Sequence, residues 1–274
     1  MSKNTKISVV TICYNPGPET LERTMCSVLD QDYDNLEYII IDGGSTDGSV
    51  EIIKKYASRL AHWVSEPDKG IYDAMTKGVE AATGKYINFM NAGDTFFDNH
   101  VLSQVWDGKD YDEDVVYGST ILNFNGGYKP HHPSDLKSFS RKWVMPFGHQ
   151  SSFTKVSTLK ARPFDQSYPH AADYVFFRDL YEAGGTFRKV RKYISIFDQW
   201  GVSSGMTLDY YFENCRAFRV KPSLKEFFDI CMWYRWRHIR YCKLKFRVKH
   251  LWKPEKYSVH IEDFPQLQDE KDKD

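Results

Sequence analysis

Twice in the first hundred residues a short apolar run stops at an acidic, glycine-containing segment. Tyr38-Ile39-Ile40-Ile41 stops at Asp42-Gly43-Gly44-Ser45-Thr46-Asp47-Gly48, and Tyr86-Ile87-Asn88-Phe89-Met90 stops at Asn91-Ala92-Gly93-Asp94. Nearly continuous apolar runs of strand length are expected where both faces of a strand are covered, as in open parallel sheets layered with helices. Ligands of such sheets collect beyond the carboxyl ends of the strands, so the pattern aims Asp42 and Asp94 at one pocket. Asp42 offers acceptors to a base or ribose, and the small residues after it let backbone approach a ligand. Asp94 is a hard oxygen donor suited to holding a cation against a diphosphate.

The intervening chain supplies the helices. Ile7-Ser8-Val9-Val10-Thr11-Ile12-Cys13 is a β-branched strand broken by Tyr14-Asn15-Pro16-Gly17-Pro18, after which Leu21, Met25, Val28 and Leu29 recur at helical spacing between Thr20 and Gln31. A second helix runs through Val50, Ile52, Ile53 and Tyr56, with Ser45 or Thr46 placed to cap it. A short strand at His62-Trp63-Val64-Ser65 and a helix from about Tyr72 to Ala82 complete the third unit. Alternation at this spacing predicts an α/β, Rossmann-like, mostly parallel sheet with helices on both faces and right-handed crossovers. Further on, Val115 to Gly118 is expected as a strand, Asn123 to Tyr128 as a hairpin, Lys129 to Gly148 as aromatic loop, and Asp173 to Ala183 as a helix stopped by Gly184-Gly185.

With 274 residues, the chain has room for one large domain, expected over 1–218, with a nucleotide-binding half at 1–94 and an acceptor half at 95–218. The formal charge is +0, but between Arg219 and Lys256 there are 12 Lys/Arg against 3 Asp/Glu. Residues 219–274 therefore form a basic tail, closed by an acidic, disordered end from Glu262. The five cysteines show no metal-ligand spacing, and Cys13 and Cys26 fall on buried elements, which suits a reducing cytoplasm. Met1 to Lys6 is polar and carries no secretory signal, and no apolar run reaches membrane-spanning length.

Four ordered segments resemble the inverting family 2 glycosyltransferases of the GT-A fold, of the bacterial surface-polysaccharide type. They are Ser8 to Asn15, Ile41 to Ser49, Glu66-Pro67-Asp68-Lys69-Gly70-Ile71-Tyr72-Asp73-Ala74-Met75, and Asn91 to Asp94; Gly148-His149-Gln150-Ser151 and Ala172-Asp173-Tyr174 extend the similarity. The resemblance implies that Thr11, Tyr14 and Asn15 line the base pocket and that Asp42 pairs with the uracil or ribose of a nucleotide sugar. It also implies donor contacts from Ser45, Asp68, Lys69, Gly70, Asn91, Ala92, Gly93 and His149. Asp173 holds the position the family assigns to the base, and Asp94 is the metal candidate for Mn or Mg. The family's Asp-x-Asp pattern is incomplete, because Asn91 and Gly93 stand where acids are usual.

The tail adds an acceptor surface. Phe228, Met232, Trp236, Ile239, Cys242 and Phe246 step by three or four residues while Arg and Lys crowd the remaining positions, so 228–252 is expected to be a helix lying on an anionic membrane. That would place a cytoplasmic, peripheral enzyme beside a glycan or polyprenyl-linked acceptor. Nothing in the tail resembles a nucleic-acid recognition module. Among rivals, a sugar-phosphate nucleotidylyltransferase would carry cations in the loop after strand one, and Tyr14 to Pro18 has none. A dinucleotide-binding oxidoreductase would need the three-glycine spacing that Gly43 to Gly48 lacks. A non-catalytic glycan-binding relative is the alternative raised by Asn91 and Gly93.

Overall fold

A computed structural model of the protein describes residues 4–123, 127–140, 144–198, 208–225, 227–229 and 232. Its first third is three β-α units and a fourth strand: β1 (Ile7–Cys13), α1 (Pro18–Leu29), β2 (Leu36–Asp42), α2 (Ser49–Tyr56), β3 (His62–Ser65), α3 (Ile71–Ala81) and β4 (Tyr86–Phe89). β5 (Thr95–Phe96), α4 (Val101–Trp106), β6 (Val115–Asn123) and β7 (Tyr128–His131) follow. Then come β8 (Ser152–Lys155), α5 (Val156–Ala161), α6 (Ala172–Glu182), β9 (Phe187–Asp198) and α7 (Leu208–Ala217).

One sheet runs in the order β3-β2-β1-β4-β8-β6-β9-β5, with β7 paired to β6. β3, β2, β1 and β4 are all parallel, and Cys13 sits opposite Asp42 in the register of β1 and β2. Beyond β4 the sheet is mixed: β8 is antiparallel to both β4 and β6, β9 is parallel to β6, and β5 is antiparallel to β9. β6 and β7 form the expected hairpin, with Asn123 opposite Tyr128.

Alternation along the buried strands divides the core in two. Val10, Ile12, Ile39 and Ile41 pack with Met75 and Val79 of α3, Leu159 of α5 and Phe176 of α6. Val9 and Ile40 face the other way onto Leu21 and Met25 of α1, Ile53 of α2 and Trp106 of α4. Helices on both faces explain why these strands read as unbroken apolar runs.

Two local expectations change. Neither Ser45 nor Thr46 caps α2: Gly48 is the N-cap with φ 97°, and Asp47 Oδ1 accepts the Ser49 N–H at 3.0 Å. The chain needs a left-handed residue immediately before the helix, so the capping carboxylate comes one residue earlier than the cap. Cys26 is only half-buried, with its Sγ 3.7 Å from the Tyr56 hydroxyl. The expected helix at 228–252 lies almost wholly outside the described residues. Among those described, no helix is long and apolar enough to cross a membrane.

Candidate active site

The carboxyl ends of β1, β2 and β4 lie side by side, forming the edge beyond which ligands of such sheets collect in a crevice. At that edge Asp42 is 0 % exposed. The Ser45 N–H donates to Oδ2 at 2.9 Å, the Gly44 N–H at 3.2 Å and the Ser65 hydroxyl at 2.6 Å, while the Ser45 hydroxyl and Cys13 thiol reach Oδ1 at 2.5 and 3.3 Å. Burial pushes this carboxyl's pKa up, but the bonds from Ser45 and Ser65 outweigh it and hold the group below its usual value. Asp42, expected to pair with base or ribose, is thus committed to protein donors and folds the loop at 43–48. Ser45, expected on the donor, is likewise engaged by Asp42 and by the Asn15 N–H at 2.7 Å.

Thr11 is likewise taken up by the protein. Its side chain is fully buried, bonded to the Tyr38 hydroxyl at 2.7 Å and donating to the Met90 carbonyl at 2.8 Å, on the same face of β1 as Cys13. Asn15, at φ 47°, accepts the Thr46 N–H on Oδ1 and so ties the β1 and β2 loops together. Tyr14 is the residue left open, with 68 % of its surface exposed. Close to it lies Asp68: a Cβ added to Gly43 would come within 2.5 Å of Asp68 Oδ2 and 3.4 Å of the Tyr14 ring. Gly43 is therefore the gap that lets the Asp68 carboxylate reach this edge. Asp68 Oδ1 accepts the Gly70 N–H at 2.8 Å, fixing the loop that presents the exposed Lys69 at the start of α3.

Asp94 stands in a different electrostatic setting. It is 4 % exposed, and burial pushes its pKa up to about 7 against the pull of hydrogen bonds from the Asp198 N–H, at 3.0 Å, and the Gln150 side chain. The Asp198 carboxylate at the end of β9 adds to the rise, while Arg23 of α1, which donates to the Gly93 carbonyl at 3.1 Å, opposes it. In the same turn the Asp94 N–H donates to the Asn91 carbonyl, and the buried Asn91 Oδ1 has no hydrogen-bond partner. Ala92 continues the β1 ladder through its N–H, and Gly93, at φ 106°, donates to the Thr24 hydroxyl.

No three of His, Cys, Asp and Glu converge as a metal cage among the described residues. Asp94 and Asp198 are nevertheless two neighbouring carboxylates, with Arg23 3.8 Å from the second. Mg and Mn suit such partial sets, one or two carboxylates completed by substrate phosphates and water. Asp198 escapes the sequence patterns above. The signal that marks it is the one that marks Asp42 and Asp94: Ile194-Ser195-Ile196-Phe197 is a strand end that stops at an acid.

Asp173 occupies the first turn of α6, where Ala171 is the N-cap and the Tyr174 N–H donates to Oδ1 at 2.8 Å. The Tyr72 hydroxyl donates to the same oxygen at 2.8 Å, and His149 Nδ1 lies 3.4 Å from Oδ2. Burial raises this pKa, but the hydrogen bonds and charge of His149 and the bond from Tyr72 bring it below the ordinary aspartate value. His149, expected on the donor, thus sits against Asp173. Its neighbour Gln150 sits against Asp94, so these contacts join both carboxylates to one short turn.

Residues 8–184 match the family described as Glycosyl transferase family 2. An uncharacterized glycosyltransferase of Mycobacterium tuberculosis is 34 % identical over 183 residues, 64 % of this chain and 69 % of that protein. Over 99 residues, 35 % of this chain and 28 % of the relative, an uncharacterized glycosyltransferase of Escherichia coli is 39 % identical. Among solved structures, S. aureus TarS 1–349 in complex with UDP-GlcNAc superposes with a TM-score of 0.61 at 16 % identity, covering 92 % of this chain and 77 % of that one. The mannosyltransferase PcManGT from Pyrobaculum calidifontis, in complex with GDP-Man and Mn2+, gives 0.52 at 17 % identity, covering 72 % and 57 %.

Proposed function

Because the chain belongs to glycosyl transferase family 2 and is a nucleotide-sugar-dependent glycosyltransferase, we propose that it moves a sugar, with inversion, from a UDP-sugar to a hydroxyl of a glycan or lipid-linked glycan. One observation carries the reading. Asp173, bonded by the Tyr72 hydroxyl and set against His149, is linked through the turn at 149–150 to a second buried carboxylate, Asp94, beyond the strand ends. An inverting transfer needs this division between a base on the acceptor hydroxyl and a charge-stabilising group at the leaving diphosphate.

The exposed Tyr14 ring gives the base a stacking surface, and Asp68 offers acceptors to its N–H or to a ribose hydroxyl. Lys69 faces the diphosphate as a point charge. Asp94 and Asp198 would hold a Mn or Mg ion, whose chemistry is to neutralise charge on the departing diphosphate. Asp173 accepts the acceptor's proton. TarS bound to UDP-GlcNAc and PcManGT bound to GDP-Man and Mn2+ support a nucleotide sugar and a divalent ion as the ligand classes.

The acceptor is assigned to a membrane surface, in bacterial lipopolysaccharide, capsule or related polysaccharide assembly, with the enzyme peripheral on the cytoplasmic face. Leu208 and Phe212 of α7, with Leu224, Phe228 and Met232 beyond it, are large apolar side chains left exposed, and the sequence that continues from them is rich in Lys and Arg. A panel of UDP-, GDP- and dTDP-sugars, assayed for donor hydrolysis and thermal shift with and without Mn, tests the reading. A Mn-dependent response to UDP-sugars is expected. A response to none of the nucleotides would remove the donor assignment.

A further inference from the structure

Both oxygens of Asp173 are engaged by side chains from other parts of the chain. Tyr72 lies 101 positions away, one residue into α3, and its hydroxyl is within 2.8 Å of Oδ1 and 3.1 Å of the His170 carbonyl. His149, in the turn before β8, approaches Oδ2. Neither ring is free to swing. Phe164 packs on Tyr72 at 5.5 Å between centroids and on His149 at 6.2 Å, and Phe89 and Phe177 close on His149 at 5.4 and 5.8 Å. From α7, the buried Glu213 accepts the His170 and Ala171 N–H groups at 2.7 and 2.8 Å, anchoring the backbone that leads into the first turn of α6.

Tyr72 also has a second attachment. It stands two residues after Gly70, whose N–H is held by Asp68, and the Lys69 N–H is held by Asp73, so the loop offered to the donor and the contact to Asp173 belong to one rigid helix start. We propose that Tyr72 and His149 are positioning residues for Asp173, fixing its carboxylate in one orientation, and that Tyr72 ties this orientation to the donor-side loop at 66–70. This rests on Asp173 being the base. A carboxylate gripped by two ring-locked donors keeps one rotamer, and the acceptor hydroxyl meets an acceptor that is already aimed. The groups facing Asp173 are the phenol of Tyr72 and the imidazole of His149, with Glu213 behind Tyr72.

The test uses the full chain. Tyr72→Phe removes only the hydroxyl and leaves the packing. It is expected to lower kcat for Mn-dependent donor hydrolysis about tenfold with donor KM within about twofold, and to move the acid limb of the rate profile upward by about one pH unit. His149→Leu should act in the same direction, whereas His149→Asn, whose amide nitrogen stands near the Nδ1 position, should restore most of the loss. In parallel, the Asp173 carboxyl is titrated by carbon-13 NMR without donor, its signal assigned through Asp173→Asn. Its midpoint should rise in Tyr72→Phe. An unchanged midpoint in both Tyr72→Phe and His149→Leu overturns the inference whether or not a donor has been found. Full turnover in Asp173→Asn would instead sink the base assignment.

Discussion

Two buried aspartates at the carboxyl edge of one sheet live in opposite conditions. Asp42, at the end of β2, is saturated by donors from Ser45, Gly44, Ser65 and Cys13, and its charge is stabilised by the fold. Asp94, in the loop after β4, is as deeply buried but has the Asp198 carboxylate for a neighbour, and burial holds its proton on to about 7. A buried charge is retained cheaply only where hydrogen bonds replace water. The Asp42 side is therefore a finished piece of architecture. On the Asp94 side two carboxylates share one guanidinium, Arg23, and the bonds from Gln150 and the Asp198 N–H offset burial only in part, so an acid's surroundings say more about the chemistry open to it than its place in a motif.

The largest effect should come from neither. Asp173→Asn is expected to lower turnover by at least about a thousandfold, roughly 4 kcal/mol, while nucleotide affinity measured by calorimetry stays unchanged. Retained turnover would put the base elsewhere in the crevice.

A third buried carboxylate extends the comparison to the opposite end of the sheet. Glu37 accepts from the Ser8 hydroxyl, the Thr83 and Gly84 N–H groups and Lys6. Burial raises its pKa, but these bonds more than offset it and bring it down to about 2. Its folded-state value is depressed, so its stabilisation is complete above the unfolded value near 4.5 and is lost as pH falls toward 2. Glu37→Gln should cost roughly 3 kcal/mol at pH 7 by denaturant titration, and the difference should shrink below pH 4. If it does not shrink, Glu37 is not of the Asp42 type.

The sharpest contrast is a pair of isosteric changes with opposite signs. Asp42→Asn should destabilise by about 2 kcal/mol at pH 7, because charged hydrogen bonds become neutral and one amide N–H₂ faces donors. Asp94→Asn should stabilise the metal-free protein by about 1–2 kcal/mol at pH 8 while reducing activity. The sign follows from a folded value raised above the unfolded one: the cost of Asp94 is absent below pH 4, grows with pH, and is complete above 7. Melting curves at pH 5 and pH 8 decide it, since equal shifts at both would dissolve the distinction. By the same argument Mn should raise the melting temperature of the wild-type protein more at pH 8 than at pH 6.

The smallest effect belongs to the exposed rim. Tyr14→Ala should weaken UDP binding about tenfold through lost stacking, with stability unchanged because the ring is mostly in solvent. An unaltered affinity would move the base away from Tyr14.

Much of the fold was legible because its signals are local. Val9 and Val10, or Ile39, Ile40 and Ile41, are apolar on successive positions only where helices cover both faces, and both core layers meet on those strands. The breaks at Pro16-Gly17-Pro18 and Gly43-Gly44 locate strand ends in the same way. Among candidate site residues, Asp94 could be named from a strand end, whereas Asp173 was named through the family resemblance, since an aspartate opening a helix reads by itself as a cap. The state of Thr11 could not be read, because a threonine near a strand's end looks alike whether its hydroxyl is open or taken, and here the Tyr38 hydroxyl and the Met90 carbonyl take it.

The sequence alone determined the alternation of strand and helix, and with it the edge at which acids gather, since burial on two faces and helical spacing are properties of neighbouring residues. The tertiary structure decided which acid is satisfied and which is strained. Asp198 meets Asp94 across 104 positions and Tyr72 meets Asp173 across 101. A carboxylate's state depends on the donors and charges around it in space, and the packing of the sheet chooses those.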